Sequence, residues 1–215
     1  MTYVSACPVR AFCWRCKNDE TNRIAVDCQR QRLPENGKGN EMTQQAMTPE
    51  TKITEHFTYR ELTNSATGRR LGLENKPNEQ ELANIRKTAE RLEKIRAWLG
   101  KKYGREVSIH VLSCFRSAAV NSAVGGSKTS AHRFGSAADI DAAGISNLQL
   151  ARDIIQMRDA GEITFDQLIF EFPERGESGW VHFGCRHNSQ ERNQILTATK
   201  RGNGGKTQYL FGLHP

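Results

Sequence analysis

Residues 130–141 have the sequence SAHRFGSAADID, which combines two candidate metal ligands with the beginning of a strand. The ligands are one imidazole, His132, and one carboxylate, Asp139, with a run of small residues just before the carboxylate. Small side chains let a backbone turn tightly and pass close to a metal ion. The alternation of Asp139, Ile140 and Asp141 is typical of a strand, so Asp139 is expected to point away from the face that Ile140 buries.

A second histidine, His182, supplies the third donor that such a site needs. Its neighbours Val181 and Phe183 are apolar and are expected on the opposite face of a short strand. A catalytic zinc commonly has three protein ligands, often histidines with a carboxylate, and one open position for water. A histidine among aromatics is by itself more often a hydrogen-bonded core residue. Together, however, His132, Asp139 and His182 satisfy the zinc ligand count.

The longest helix is predicted from a capping pattern followed by a regular apolar stripe. Asn78 and Glu81 have the spacing of a helix cap and its reciprocal acid. Gly100 and Gly104 bracket the end of the helix. Apolar residues recur at three- and four-residue steps, namely Leu82, Ile85, Ala89, Leu92, Ile95 and Leu99. Such a stripe is more typical of a core-facing helix than of a ligand site.

The order of the other elements predicts the fold class. Residues 107–112 alternate as a strand does, and Ser146 can cap a second amphipathic helix. Residues 165–172 and 179–184 are predicted strands, and residues 194–213 are predicted to contain a hairpin around a glycine-rich turn. We predict an α+β fold, a single domain with a small antiparallel sheet flanked by helices.

Composition and charge limit the class of protein. The chain has 215 residues, of which 37% are hydrophobic and 26% charged, as expected for one globular domain with a core. No stretch approaches the ~18 consecutive apolar residues of a spanning helix, and residues 1–16 lack the apolar run that is typical of a secretory signal. The net charge of +7 favours polyanionic partners. Its basic residues are scattered and not interleaved with aromatics, so no specific nucleic-acid binding is predicted.

The first fifty residues differ from the rest of the chain. Residues 29–50 have few large apolar side chains and are typical of a linker. Four of the six cysteines lie before them, at Cys7, Cys13, Cys16 and Cys28. They contain a single CxxC pair, which is a weak zinc-ribbon signal. We predict that residues 1–50 are a poorly ordered Cys-containing leader and linker, and that residues 51–215 are the folded domain.

The pattern Ser-x-His-x-x-Gly-x-Ala-x-Asp, found here from Ser130 to Asp139, resembles the signature of the M15 family of zinc D-alanyl-D-alanine peptidases. That family includes carboxypeptidases and peptidoglycan endopeptidases. The resemblance covers about residues 53–213. Further segments are similar to the phage and prophage branch of the family: SCFRS at 113–117, Asn121 with VGGS at 124–127, FDQLI at 165–169, and WVH at 180–182.

The resemblance implies a fold, a cofactor and a set of site residues. The fold is the M15 or hedgehog-like zinc peptidase fold, and residues 51–215 are its catalytic domain. One Zn²⁺ per chain is held by His132, Asp139 and His182. Arg116 binds substrate and stabilises the charge that develops on the carbonyl oxygen, which suits a permanently charged guanidinium. Ser130 and Asn121 are implied to bind substrate.

The general base is the point at which the sequence departs from the family. Many members place an acid three residues before the second zinc histidine, but that position is Gly179 here. Glu171, at the end of the apolar run LIF, is the favoured base because partial burial at a strand end raises a carboxyl pKa toward neutrality. Glu177, in the following loop, is the reserve candidate.

The implied function is hydrolysis of peptide bonds in the stem peptides of peptidoglycan. Both D-Ala-D-Ala carboxypeptidase and L-Ala-D-Glu endopeptidase activity occur on this scaffold. We expect a monomeric phage or prophage lysin, made in the bacterial cytoplasm, not inserted in a membrane, and released to the wall through a holin. Three alternatives stay open: a cysteine peptidase that uses Cys114 and His132, a non-catalytic zinc-containing module that binds the cell wall, and a nucleic-acid-binding protein.

Overall fold

One mixed sheet of six strands forms the centre of the fold, as a computed structural model shows. The structure describes residues 47–187, 189–200 and 205–215. The strands are β1 Ile109–Ser113, β2 Ala137–Ala142, β3 Gln167–Glu171, β4 Trp180–Gly184, β5 Gln194–Lys200 and β6 Thr207–Phe211. They lie in the order β1-β2-β4-β3-β5-β6 in the sheet. The α-helices are α1 Tyr59–Thr63, α2 Ala66–Leu71, α3 Glu79–Tyr103, α4 Ala118–Ala123 and α5 Asn147–Asp159, with 3-10 helices at Ala131–Phe134 and Pro173–Ser178. The predicted α+β class is confirmed.

The described residues belong to one compact unit, Gln45–Pro215. The leader predicted for residues 1–50 lies almost entirely outside the described residues, and so do its four cysteines. Its order and its role therefore stay predictions. Among the described helices, none is long and apolar enough to cross a bilayer.

Helix α3 has the capping box that the sequence predicts. The Asn78 side chain accepts a hydrogen bond from the Glu81 backbone N–H at 2.9 Å, and the Glu81 carboxylate accepts one from the Asn78 N–H at 2.8 Å. The helix continues through Gly100 and ends at Gly104, whose φ of 62° closes the last turn. Its apolar stripe, from Ile85 to Leu99, is fully buried in the main core.

Alternation along the central strands separates a core face of the sheet from a second face. In the register of β2 and β4, Asp139 lies directly opposite His182, and Ile140 lies opposite Val181. Ile140 and Val181 are completely buried in the core that α3 and α5 cover. Because side chains alternate, Asp139 and His182 share the other face, as the sequence predicts. We call this second face the groove face.

The sheet differs from the antiparallel sheet of the prediction because β3 and β5 run parallel. Gln167, the first residue of β3, pairs with Gly184, the last residue of β4, and also with Gln194, the first residue of β5. The chain therefore leaves β4 and enters β5 at the same end of the sheet, so β5 must take the direction of β3. The predicted hairpin is confirmed, since β5 and β6 pair antiparallel.

Candidate metal centre

Three buried side chains bring their donor atoms together on the groove face. Asp139 Oδ1 lies 3.1 Å from His132 Nε2 and 2.9 Å from His182 Nδ1. The two imidazole nitrogens are 3.2 Å apart. The three residues expose only 3%, 4% and 8% of their surface, in chain order. Among the described residues, they form the one group of three or more His, Cys, Asp or Glu donors compact enough to hold a metal ion.

Strand pairing and one glycine place these three residues. The antiparallel register of β2 and β4 sets Asp139 beside His182. His132 lies on the 3-10 helix Ala131–Phe134, which ends at Gly135 with φ 67°. A Cβ at Gly135 would lie 2.7 Å from the carbonyl oxygen of Glu81 and 2.6 Å from a side-chain carbon of Ile85. Glycine is therefore required at this position for two reasons, its positive φ and the close approach of α3.

A backbone carbonyl orients the first histidine. His132 Nδ1 lies 2.7 Å from the carbonyl oxygen of Cys114, which can only accept a hydrogen bond. The proton therefore sits on Nδ1, and the Nε2 lone pair is left facing Asp139 and His182. Ligand histidines in metal sites are commonly fixed in this way. The side chain of Cys114 is fully buried, and burial raises the pKa of its thiol far above the ordinary range.

Arg116 binds the second carboxylate oxygen of Asp139. Its guanidinium donates to Asp139 Oδ2, and its Nε donates to Ser113 Oγ at 2.7 Å. Ser113 and Asp139 are cross-strand partners in β1 and β2. Arg116 therefore fixes the carboxylate so that Oδ1 points at the two histidines.

The protonation states of the three donors suit a cation. Burial would raise the pKa of Asp139, but the charges and hydrogen bonds of His132 and His182 hold it well below its usual range. Burial lowers the pKa of His132 in spite of the nearby Asp139. Burial also lowers the pKa of His182, but the hydrogen bond and charge of Asp139 outweigh it, so the net shift is upward. A bound metal would replace the proton that Asp139 favours on His182.

A comparison with protein families matches residues 55–169 to the model for Peptidase M15, more than half of the chain. The chain belongs to this peptidase family. A search of curated proteins found no match. M15 peptidases depend on zinc, and two imidazole nitrogens and one carboxylate oxygen are a donor set that zinc accepts. The match includes His132 and Asp139 but ends before His182, which the sheet register of this M15 domain brings to them.

The M15 donor group lines a groove of about 1470 Å³. The apolar side chains of Ile169 and Leu196, with Ala198, form a small buried cluster on the groove face. Ile169 lies directly opposite His182, and Leu196 opposite Ile169, so this cluster continues the row of metal donors across the sheet. A substrate chain in the groove would therefore meet the donors on one side and an apolar floor on the other.

Glu171 lies in the same groove and is the acid that the sequence favours as base. It is the last residue of β3 and points to the same face as Ile169, two residues earlier. Burial, followed by the charge of Asp139, raises the pKa of Glu171 to about 7, although His182 and Arg116 oppose this shift. The side chain of Glu177, the reserve candidate, lies outside the described residues.

Besides Arg116, two residues are predicted to bind substrate, and they have different positions. Ser130 lines the groove at the start of the 3-10 helix that carries His132. Asn121 lies on α4, is 2% exposed, and donates from Nδ2 to the carbonyl oxygen of Ser127 at 2.9 Å. This hydrogen bond ties α4 to the loop of residues 124–130, and the substrate contact implied by the resemblance stays a prediction.

Tyr209 is a groove residue that the sequence did not point to. It is 57% exposed on β6 and lies opposite Ala198, which in turn lies opposite Glu171. Alanine leaves the tyrosine ring unobstructed on that row, and the groove lining includes Tyr209. Burial, then the charges of Glu171 and Asp139, raise the pKa of the Tyr209 phenol. The hairpin predicted for residues 194–213 includes this strand, but only the register across β3, β5 and β6 places the ring near Glu171.

Proposed function

We propose that this M15 domain is a zinc-dependent peptidase that hydrolyses a peptide bond in peptidoglycan stem peptides. The observation that carries the proposal is the buried His132, Asp139 and His182 group at the bottom of a groove, with the Glu171 carboxyl poised near neutrality in the same groove. When bound, zinc supplies Lewis acidity that polarises a carbonyl and makes water more acidic. The M15 relationship supports peptidoglycan as the substrate class.

Glu171 has the properties of the general base. A base that works near neutral pH needs a pKa near neutrality. During hydrolysis the attacking water gives a proton to the Glu171 carboxylate as its oxygen bonds to the amide carbon. The C–N bond then breaks, and Glu171 passes that proton to the leaving nitrogen. The products are a carboxylic acid and an amine, which ionise to a carboxylate and an ammonium group, and Glu171 returns to its initial state.

Arg116 has a positioning role in this proposal. Its contact with Asp139 Oδ2 directs the other carboxylate oxygen toward the histidines, and it also lines the groove. A guanidinium has five N–H donors, so the fork can hold Asp139 and still donate to the developing oxyanion of a substrate. His132 and His182 need only stay neutral and keep their ring nitrogens oriented toward Asp139. The hydrogen bond to the Cys114 carbonyl oxygen fixes this orientation for His132.

The groove favours an endopeptidase over a carboxypeptidase. Its lining includes Gln194 and Lys200, the first and last residues of β5, and the metal donors are level with the interior of that strand, because His182 lies opposite Ile169 and Ile169 opposite Leu196. A substrate chain can therefore extend on both sides of the scissile bond. The cysteine-peptidase alternative has little support, because the Cys114 thiol is fully buried and its raised pKa keeps it protonated. A phage or prophage lysin that leaves the cell through a holin is the biological setting that we propose.

The test is digestion of purified peptidoglycan with metal-free and zinc-loaded protein, followed by mass identification of the released ends. We expect chelation to abolish cleavage and zinc to restore it, with new N-terminal D-Glu and C-terminal L-Ala. New free D-Ala would instead identify a carboxypeptidase. Protein that sediments with the wall but releases no ends in the presence of zinc would establish the non-catalytic module. Binding to nucleic acid with no action on the wall would support the nucleic-acid alternative.

A further inference from the structure

The last strand of the sheet carries two exposed aromatic rings on the groove face. Tyr209 is more than half exposed, and Phe211, at 78%, is the most exposed large apolar side chain that the structure describes. The two residues lie two positions apart on β6, so their side chains point to the same face, and both line the groove. We call Tyr209 and Phe211 the aromatic platform.

Packing within the sheet does not account for the exposure of the platform. Tyr209 pairs with Ala198 and Phe211 pairs with Leu196, and both partners are already buried in the small apolar cluster of the groove face. Burial of an aromatic ring is favourable, but Phe211 leaves most of its ring in water, so the fold gains little from it. Neighbouring exposed apolar side chains that border a groove are typical of a ligand-binding surface.

The platform is continuous with the groove that holds the candidate metal centre. Tyr209 lies in the same cross-strand row as Glu171, two strands away, and Phe211 lies in the row of His182, three strands away. Neighbouring strands are about 4.8 Å apart, so Tyr209 lies about 10 Å from Glu171 and Phe211 about 14 Å from His182. A molecule bound at the metal centre can therefore reach the platform along the groove floor.

The chemistry of the platform suits a sugar ring. The face of an aromatic ring carries partial negative charge, and a pyranose presents partially positive C–H groups on its flat faces. The Tyr209 hydroxyl, the Thr207 hydroxyl and the Lys200 ammonium belong to the same part of the groove lining, since Thr207 and Lys200 are cross-strand partners. These groups can form hydrogen bonds with the hydroxyl and acetamido groups at the rim of a sugar. A stem peptide, by contrast, has no large apolar side chain to cover two aromatic rings.

The reach of the substrate agrees with this position. In peptidoglycan, one L-Ala residue and a lactyl group separate the carbonyl of the L-Ala–D-Glu bond from the nearest sugar, a reach of about 7 Å on the scale of two extended residues. With that bond at the metal centre, the sugar ring comes level with Tyr209. The D-Ala–D-Ala bond lies three residues further along the stem, which places its sugar at about 17 Å, beyond the platform.

We infer that the aromatic platform stacks on the N-acetylmuramic acid ring of the glycan strand that carries the substrate stem. The inference rests on the proposed function and deepens it. The protein then acts on stems that are still attached to glycan in preference to free stem peptides, and the bond that it cuts is L-Ala–D-Glu.

The test compares two soluble substrates that differ only in the sugar. One is a disaccharide pentapeptide, and the other is the same pentapeptide with an N-acetyl group in place of the sugar and its lactyl group. The variants are Tyr209→Ala, Phe211→Ala and the double variant. Leu210→Ala is the matched control, because Leu210 is also exposed on β6 but points to the opposite face. Thermal unfolding checks that each variant is folded, and calorimetric titration with an N-acetylglucosamine oligomer measures sugar binding without cleavage.

We expect wild-type kcat/KM to be about 10-fold or more higher on the disaccharide pentapeptide, and each single variant to lower this ratio by about 3- to 10-fold. The ratio should be near one in the double variant and unchanged in Leu210→Ala. The double variant should also lose binding of the oligomer, which wild type and Leu210→Ala retain.

A ratio near one in wild type, or an unchanged ratio in the folded double variant, would overturn the inference and leave the proposed function standing. If zinc-loaded wild type cleaves neither substrate, the proposed function fails, and the titration decides the platform by itself. Oligomer binding that is absent from wild type, or that persists in the double variant, then overturns the inference. Sedimentation that shows a dimer of wild type but a monomer of the double variant would assign the rings to a contact between two copies of the chain and overturn it as well.

Discussion

Replacing Glu171 by Gln separates the catalytic use of this carboxyl from its effect on stability. Glutamine keeps the shape of the protonated acid but cannot accept a proton. Loss of a general base commonly costs about 10²- to 10⁴-fold in rate. We therefore expect kcat on a stem peptide to fall by that factor, with the zinc content unchanged because Glu171 is not one of the three donors.

The same substitution should stabilise the metal-free protein at neutral and alkaline pH. The pKa of Glu171 is raised from 4.5 to about 7 by burial and by Asp139, so the folded state holds its proton over a pH range in which the unfolded state has lost it. Stability then decreases as the pH rises from 4.5 to 7. This pKa shift corresponds to a loss of about 3 kcal/mol in the free energy of unfolding. Glutamine avoids the loss because it has no proton to release.

The measurement is urea unfolding of the metal-free wild-type protein and variant between pH 4.5 and pH 8, beside peptide hydrolysis by the zinc-loaded forms. We expect Glu171→Gln to unfold with a free energy about 2 to 3 kcal/mol higher at pH 8 and nearly equal at pH 4.5. Glu162→Gln, at an exposed acid, is the control. Activity within about threefold of wild type, or a stability difference independent of pH, would refute the assignment of Glu171.

Further substitutions test the metal centre. Cys114→Ser should leave peptide hydrolysis intact while a chelator abolishes it, and the reverse result in a rate assay would revive the cysteine-peptidase alternative. Asp139→Asn should abolish the rise in melting temperature that zinc gives, as followed by calorimetry, because the anionic donor is lost. Arg116→Ala should weaken zinc binding by about 10- to 100-fold, as measured by a competition titration, and Arg116→Lys should recover part of this affinity. Gly135→Ala should lower the unfolding free energy by about 1 to 3 kcal/mol in urea, since it adds both strain and overlap with α3.

Features that depend on short stretches of chain could be predicted from the sequence. The capping box of Asn78 and Glu81 is formed as predicted, because both residues belong to the same helix turn. The alternation of Asp139 and Ile140 places one on the groove face and the other in the core. Residue chemistry singles out His132, Asp139 and His182 as candidate donors, but no local rule shows that His182 meets Asp139, which lies 43 residues earlier in the chain. The resemblance to a known signature supported that meeting.

Features set by the pairing of distant strands could not be predicted. The parallel pair β3 and β5 depends on the end of the sheet at which the chain leaves β4. The proximity of Tyr209 to Glu171 depends on the registers of β3, β5 and β6 together. The contact of Arg116 with Asp139 depends on the irregular register at Ser113. None of these leaves a pattern in the sequence near the residue concerned.

The alternation of β2, β3 and β4 between a core face and a groove face has a consequence for how this protein can evolve. Apart from Asp139, His182 and Glu171, the groove-face positions of these strands can change to suit a new substrate without altering the volume of the core. Insertion of a single residue within β4 would instead turn His182 into the core and expose Phe183, so it would destroy fold and chemistry together. Natural variation in these strands should therefore consist of substitutions at alternate positions, with length changes confined to the loops.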